Sequence, residues 1–341
     1  MSTILPYSTL LHLLFLATFF SCNAQQSAEK NQHNSTPIFL PATEIDQNIW
    51  AIHQDQKGRY WFGSNRNGVY VYDGKSLRQI NRHTGLVDNM IRGFQEDRAG
   101  NVYIETWNGI CKYDGKSLER LEIVRSPLNA WVLDPKDMWF NSHSEDQHVF
   151  RYDGKYLYAL NLPPQDLMKL GIDESSDPSD PYTVFGVDRD RAGNVWFGTV
   201  VAGAFRYDGQ SFLWLGEKEL SVLEDGRAPG VRAMLEDKDG YIWPSNFLSK
   251  YKIKPGAPIT YEKMPALETP PPLLEEFLPY FNAGIVAQNG DLWMAMYSGD
   301  VWHYDGKSLH HFPVEVNGLP ANVLAIHEDS DGVIWVGSQN F

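Results

Sequence analysis

Residues 190–199 read Asp-Arg-Ala-Gly-Asn-Val-Trp-Phe-Gly-Thr, and residues 204–209 continue with Ala-Phe-Arg-Tyr-Asp-Gly. The two runs rich in β-branched and aromatic residues are bounded by glycine and asparagine, which is typical of short strands joined by tight turns. The Asp-Gly pair is a strong hairpin signal, because glycine adopts a positive φ without steric penalty. This stretch therefore predicts antiparallel strands joined by hairpins.

The same unit recurs along the whole chain. The hairpin phrase Tyr-Asp-Gly returns at 72–74, 113–115, 152–154, 207–209 and 304–306. An aromatic residue of the second strand marks each of seven copies: Trp61, Tyr103, Trp139, Trp196, Trp243, Trp293 and Trp335. Four short strands in every 40 to 50 residues or so are the pattern of a β-propeller blade. The sequence predicts an all-β fold, a seven-bladed β-propeller with four-stranded antiparallel blades.

Two details of the repeat lead to further expectations. In copy three, residues 131–133 occupy the place of the first strand, and copy seven stops after its second strand. Residues 37–42 form a short apolar run ahead of copy one. Because unpaired sheet edges promote aggregation, we expect this N-terminal strand to complete the incomplete last blade and to close the ring. Residues 37–341 would then form a single propeller domain.

The composition indicates a protein with a large core and argues against some classes of function and fold. The chain has 341 residues, 43% of them hydrophobic, which is enough for a large core. Its net charge of −14 argues against nucleic acid, whose affinity for proteins comes largely from Lys and Arg contacts. The two cysteines, Cys22 and Cys111, do not form a disulfide framework, and Cys111 lies in a predicted strand. We expect a monomer.

The N-terminal stretch has the features of an export signal. Residues 8–20 form an apolar segment too short to span a bilayer comfortably, and Phe-Phe-Ser-Cys follows at 19–22. This resembles a bacterial lipobox, so residues 1–22 are predicted to be a lipoprotein-type signal peptide with Cys22 as the lipidation site. Residues 23–36 read as a flexible tether. The protein would be a cell-envelope lipoprotein, periplasm-facing or at the outer membrane, with only its lipid in the membrane. The alternative is cleavage after Ala24, which would leave a secreted protein.

The repeat also resembles a known family. Asp-x-x-Gly-Asn-Val-Trp-Phe-Gly-Thr followed by Gly-x-x-Arg-Tyr-Asp-Gly is similar to the two-component regulator propeller repeat, and the resemblance covers residues 49–341. That repeat builds periplasmic sensor domains of hybrid histidine kinases and free-standing exported proteins. The resemblance implies a sensor-like propeller. It does not imply kinase activity, because no kinase segment occurs in these residues.

Candidate ligand-binding residues lie in loops that share one face of such a propeller. The connections between blades are long at 161–183, 216–230 and 254–283, and they lie on the same face as the loops between second and third strands. Aromatic rings and amides there suit a sugar or another small polar ligand, although turn chemistry also explains loop amides. The candidates are Asn65, Arg66, Asn67, Trp107, Asn108, His143, His148 and Tyr297.

No catalytic motif or cofactor-binding pattern occurs in the sequence, and we expect neither an enzyme nor a cofactor. His143, Glu145, Asp146 and His148 could ligate a metal, but exposed solvated side chains are the simpler interpretation. The Asp-x-Asp-Gly strings at 237–240 and 329–332 are predicted to be turns. The expected function is an exported module that binds a polar ligand or an envelope protein. The alternatives are a partner-protein scaffold, or a metal-dependent propeller lyase resembling the streptogramin lyases, whose spaced motif is not matched here.

Overall fold

The computed structural model describes residues 37–126, 128–144, 147–171, 180–220, 222, 229–272, 279–296 and 298–339, with the backbone alone at 142–144, 147 and 170. The chain divides into two units, Met1–Thr36 and Pro37–Phe341, and all described residues belong to the second. The predicted signal peptide, its Cys22 and the tether therefore lie outside the described residues. No helix in the described part of the chain is long and apolar enough to cross a bilayer.

In the described part of the chain, six sheets of four or five strands form the blades of a propeller. Blades one to three contain β1 (Leu40–Pro41), β2 (Ile49–Gln54), β3 (Tyr60–Ser64), β4 (Val69–Tyr72) and β5 (Leu77–Ile80); β6 (Ile91–Glu96), β7 (Val102–Thr106), β8 (Gly109–Tyr113) and β9 (Leu118–Arg120); and β10 (Ile123–Arg125), β11 (Met138–Ser144), β12 (Gln147–Tyr152) and β13 (Leu157–Leu160). Blades four to six contain β14 (Val184–Arg189), β15 (Val195–Thr199), β16 (Ala204–Tyr207) and β17 (Phe212–Leu215); β18 (Met234–Glu236), β19 (Ile242–Pro244), β20 (Ser249–Lys254) and β21 (Thr260–Pro265); and β22 (Ala283–Val286), β23 (Leu292–Ala295), β24 (Asp300–Tyr304) and β25 (Leu309–Pro313).

Smaller elements complete the described structure. Two-stranded sheets pair β26 (Glu315–Val316) with β27 (Leu319–Pro320), and β28 (Asn322–Glu328) with β29 (Ile334–Gln339). Short 3-10 helices lie at Arg82–Thr84, Leu167–Leu170 and Lys218–Leu220. The innermost strands β2, β6, β11, β14, β18 and β22 surround a central channel, and β28 contacts both β22 and β2.

The prediction of seven four-stranded blades is wrong, because the structure has six blades and the seventh copy stays a two-stranded hairpin, β28–β29. The predicted closure by an N-terminal strand is also wrong. β1 pairs antiparallel with β5, Leu40 opposite Gln79, so it widens blade one. Phe39 anchors it there, 5.5 Å and edge-on from Tyr113, with the Arg78 guanidinium 4.5 Å above its ring. These contacts hold the N-terminal segment on the outer edge of blade one.

Blade three departs from the repeat as well. Residues 131–133, the predicted first strand, are not a strand, because Trp131 packs edge-on against Phe212 of blade four with ring centroids 4.8 Å apart. Tyr207 also donates a hydrogen bond to the Trp131 carbonyl at 3.0 Å. The fourth strand of this blade is instead β10, which pairs parallel to β13. In blade five, β21 occupies residues 260–265, so the connection predicted at 254–283 is shorter than expected.

A recurring aspartate holds together the first turn and the second strand in blades one, four and five and in the β28–β29 hairpin. The carboxylates of Asp55, Asp190, Asp237 and Asp329 each accept the indole N–H of the tryptophan six residues later, at 2.7 to 3.2 Å. The same carboxylates accept backbone N–H groups of the turn, such as those of Asp239 and Tyr241 at Asp237. The turn interpretation of the two Asp-x-Asp-Gly strings is therefore confirmed.

The Tyr-Asp-Gly phrase forms the hairpin between the third and fourth strands, as predicted. In blade one, Asp73 accepts the backbone N–H groups of Lys75 and Ser76, and Gly74 has a φ of 86°. The turn joins β4 to β5. Cys111 lies buried in β8, as a small apolar residue would.

Candidate functional site

On one face of the ring, a buried aliphatic residue lies at or near the start of several strands that border the channel. These residues are Ile49 in β2, Ile91 in β6, Val184 in β14, Val231 shortly before β18, and Val323 in β28. The residue that follows each of them is only half-buried, and it varies widely in chemistry: Trp50, Arg92, Phe185, Arg232 and Leu324. We call the group at this end of the channel the channel mouth, and it consists of Trp50, Arg92, Trp107, Asn141, Phe185, Arg232 and Asn282.

Two tryptophans hold an arginine on one side of the channel mouth. The guanidinium carbon of Arg92 lies 4.8 Å from the Trp50 ring centroid and 4.7 Å from that of Trp107. The Trp107 backbone N–H donates to the Met90 carbonyl at 2.9 Å, which fixes the loop that carries this ring. Trp107 remains 42% exposed. The stack therefore places a partly exposed indole beside a guanidinium at the opening.

A second arginine lies across the opening. The Arg232 guanidinium carbon is 4.2 Å from the Phe185 ring centroid, and its Nε donates to the Pro229 carbonyl at 2.9 Å. Asn141, on β11, donates from Nδ2 to the Phe185 carbonyl at 3.2 Å. The mouth of this acidic protein thus carries two cations held against aromatic rings.

Three buried polar atoms at the mouth have no hydrogen-bond partner among the described residues: Trp50 Nε1, Asn141 Oδ1 and Asn282 Oδ1. The orientation of each side-chain amide is fixed by its hydrogen bond, because Asn141 Nδ2 and Asn282 Nδ2 both donate to backbone carbonyls. An unsatisfied buried polar group costs about 1–3 kcal/mol. One donor and two acceptors around one opening suit a ligand, or ordered water, that supplies both kinds of group.

A buried acid lies inside blade two. Glu105 is on β7 and accepts a hydrogen bond from Gln95 Nε2 at 3.2 Å. It fits because its neighbour across the sheet is Gly93, where a Cβ atom would approach Glu105 Oε1 to 3.1 Å. Burial raises the pKa of Glu105 to about 7. This carboxyl group therefore changes charge near neutral pH.

We expect Glu105→Gln to stabilise the protein relative to the wild type increasingly as the pH rises from about 4.5 to about 7. The pKa of Glu105 is higher in the folded state than its usual 4.5, so the protonated acid favours folding below pH 4.5 and this contribution is lost as pH rises through about 7. At pH 8 the variant should gain up to about 3 kcal/mol over the wild type, relative to pH 4.5. Urea unfolding of both proteins at several pH values measures this. A stability difference independent of pH would show that Glu105 is not held neutral.

The opposite end of the channel carries two histidines. The rings of His53 and His327 are 5.9 Å apart, and His53 Nε2 lies 3.5 Å from Glu96 Oε2. Burial, aided by His327, lowers the pKa of His53 to about 4, so this histidine is neutral at pH 7. The described residues contain no group of three or more His, Cys, Asp or Glu side chains placed to hold a metal ion.

The predicted site residues of blade one make the contacts of a turn. The backbone N–H groups of Arg66 and Asn67 donate to Ser64 Oγ at 3.0 and 2.9 Å, and Asn67 Nδ2 donates to Asp46 at 2.9 Å. Asn65 donates its backbone N–H to the Asn48 carbonyl at 3.1 Å. These bonds order the loop between β3 and β4, and a ligand role for the three residues stays a prediction.

The remaining predicted residues are separated by the structure. Asn108 donates its amide to Asp88. Both ring nitrogens of His148 are engaged, Nε2 with Asp180 at 2.9 Å and Nδ1 with the Leu162 N–H at 2.9 Å, so His148 anchors the connection after β13. Trp107 joins the channel mouth. The His143 side chain and Tyr297, with Glu145 and Asp146, lie outside the described residues.

A larger groove of about 1010 Å³ lies at the outer rim between blades five and six. Its lining includes Tyr241, Lys250 and residues 270–272. Among the described residues, none of the unpartnered buried atoms belongs to a residue of this groove. The channel mouth is therefore the stronger candidate.

Solved structures with a similar fold include a domain of a two-component system, a lyase and YCF48. An extracellular domain of a hybrid two-component system from B. thetaiotaomicron is 18% identical, with a TM-score of 0.59, over 89% of this chain and 40% of that chain. Virginiamycin B lyase from Staphylococcus aureus is 14% identical, with a TM-score of 0.59, over 88% and 94%. YCF48 from Cyanidioschyzon merolae is 13% identical, with a TM-score of 0.56, over 89% and 96%. At such identities the likeness shows the fold alone.

Sequence comparisons identify the repeat. Curated protein sequences give no significant match. The family model for the two-component regulator propeller matches residues 43–66 and 317–340, which include β2, β3, β28 and β29. The resemblance in the sequence is thereby confirmed, and the chain carries repeats of the two-component regulator propeller family.

Proposed function

We propose that the protein is an exported binding module that holds a small polar ligand, such as a sugar, at the channel mouth and catalyses no reaction. The observation that carries this proposal is the grouping of Arg92 between two indoles with three unpartnered buried polar atoms. Such a grouping costs stability in the free protein. A ligand that completes these hydrogen bonds recovers that cost.

The chemistry of the mouth matches a sugar in particular. An indole face packs against the C–H surface of a sugar ring, while hydroxyl groups donate to Asn141 and Asn282 and accept from the Trp50 N–H. The guanidinium edges of Arg92 and Arg232 add donors that favour oxygen-rich ligands. A nucleic acid is disfavoured by the net charge of −14.

Export is part of the proposal. It is supported by the signal-like residues 1–22 and by similar structures that are extracellular domains of two-component systems. Lipidation at Cys22 would tie the propeller to the envelope, where a sensor or binding protein meets its ligand.

Thermal-shift and tryptophan-fluorescence titrations against a panel of oligosaccharides, peptides and divalent metal ions test the proposal. A sugar ligand is expected to raise the melting temperature saturably and to change the emission of Trp50 and Trp107. Trp107→Ala should weaken this binding at least tenfold. The matched control is Tyr156→Ala, because Tyr156 is 41% exposed and also lies beside a cation, Lys155.

Equal loss of binding in both variants, or no sugar ligand at all, would overturn the proposal. A peptide as the sole ligand would favour the scaffold alternative, which has a specific parallel because YCF48, of the same fold, has been solved with a D1 peptide. Turnover of any bound compound, abolished by a chelator, would favour a lyase.

A further inference from the structure

A small cavity of about 120 Å³ opens at the channel mouth between blades five and six. Its walls include Pro229, Phe281 and Met296, and Arg232, Asn282 and Ser298 also line it. One water molecule needs roughly 10–15 Å³ of such space, so the cavity accommodates a small substituent rather than a single water. It does not accommodate a whole sugar ring.

Among the described residues that line this cavity, the side chains of Ser298 and Tyr280 and the Asn282 amide nitrogen already make hydrogen bonds. Ser298 Oγ donates to Asp300 at 2.6 Å, and the Tyr280 hydroxyl donates to the Glu219 carbonyl at 2.5 Å. Asn282 Nδ2 donates to the Val323 carbonyl at 2.6 Å. Asn282 Oδ1 accepts no hydrogen bond from the described residues. The cavity is therefore lined by apolar side chains, by Asn282, whose Oδ1 is buried and accepts no hydrogen bond from the described residues, and by Arg232.

We propose that this cavity binds the acetamido group of an N-acetylated sugar, which rests on the proposed function of the channel mouth. The methyl group contacts Met296 and Phe281, the amide N–H donates to Asn282 Oδ1, and the carbonyl oxygen faces the Arg232 guanidinium. Each feature of the cavity has a counterpart in this group.

Other common sugar substituents fit less well. A carboxylate would place an anion against Asn282 Oδ1 with no proton to donate. A hydroxyl group would satisfy that acceptor but would leave the apolar walls of Pro229, Phe281 and Met296 without an apolar partner. An ammonium group would donate to Asn282 but would lie near the Arg232 cation.

Titration calorimetry with chito-, cello- and glucosamine oligosaccharides of equal length tests the proposal on the wild-type protein. The N-acetylated oligosaccharide is expected to bind about tenfold more tightly than either of the others. An N-benzoyl analogue should lose that advantage, because its ring exceeds the cavity. Equal affinities for all three oligosaccharides would overturn the acetamido proposal while leaving the binding module intact, and no binding by any sugar would overturn both.

Two asparagine variants test whether Asn282 is the residue responsible for the preference for the N-acetylated oligosaccharide. Asn282→Ala should remove the tenfold preference, so that chito- and cello-oligosaccharides bind alike. Asn141→Ala is the matched control, because Asn141 also donates Nδ2 to a backbone carbonyl and leaves Oδ1 unpartnered, outside the cavity. It should weaken both sugars equally and keep the preference. A preference that survives Asn282→Ala in a protein with an unchanged melting temperature would contradict the assignment.

Discussion

Replacing Asp237 by alanine is expected to lower the free energy of unfolding by about 3–5 kcal/mol. The carboxylate is buried and accepts hydrogen bonds from the N–H groups of Asp239 and Tyr241 and from the indole N–H of Trp243, at 2.9 to 3.0 Å. Trp243 is fully buried, so water cannot replace the lost acceptor without opening the blade. Chemical denaturation followed by circular dichroism measures the change.

The control for this variant is Asp114→Ala. Asp114 accepts the N–H groups of Lys116 and Ser117 in a Tyr-Asp-Gly hairpin, but it is exposed, so water replaces the carboxylate. Its loss should change the stability far less. Equal losses for the two variants would show that the buried aspartate is not what holds the first turn to the tryptophan of the second strand.

Replacing Arg92 by alanine is expected to weaken sugar binding by about 10- to 100-fold. The guanidinium spaces the Trp50 and Trp107 rings and supplies donors at the opening, so its removal lets the two rings collapse together. Because Arg92 is half-buried at the channel, the melting temperature should fall much less than for Asp237→Ala. Isothermal titration with the best sugar from the panel gives the affinity.

Arg78→Ala provides the comparison, because Arg78 also lies over an aromatic ring, that of Phe39 at 4.5 Å, but on the outer edge of blade one. The affinity of the Arg78→Ala variant for the sugar should equal that of the wild-type protein. If Arg78→Ala weakened binding as much as Arg92→Ala, the arginines would be acting through the overall charge, and the channel mouth would not be the site.

The local repeat could be predicted from the sequence because its signals are short-range. The Tyr-Asp-Gly turn at 72–74 and the aspartate six residues before Trp243 each depend on neighbours along the chain. The number of complete blades depends on long-range pairing instead. Residues 131–133 resemble a strand, but the aromatic surface of blade four binds Trp131, and Phe39 ties β1 to blade one.

The candidate site was less visible in the sequence. Trp107 could be predicted because it lies in a loop on the functional face. Trp50, Arg92 and Arg232 sit inside or beside strands, where alternation assigns them to packing until the ring shows that they border the channel. The sequence did contain one signal for these residues. In the copies that begin at Ile49, Ile91, Val184 and Val231, the first residue is always aliphatic, whereas the residue after it differs in chemistry from copy to copy.

The most direct measurement is a crystal structure of the protein with the tightest-binding sugar. We expect the sugar at the channel mouth, stacked on Trp107, in hydrogen-bond contact with Arg92 and Asn282. A sugar seated instead in the outer groove beside Tyr241 and Lys250, or at the channel end that carries His53, would contradict the assignment of the site.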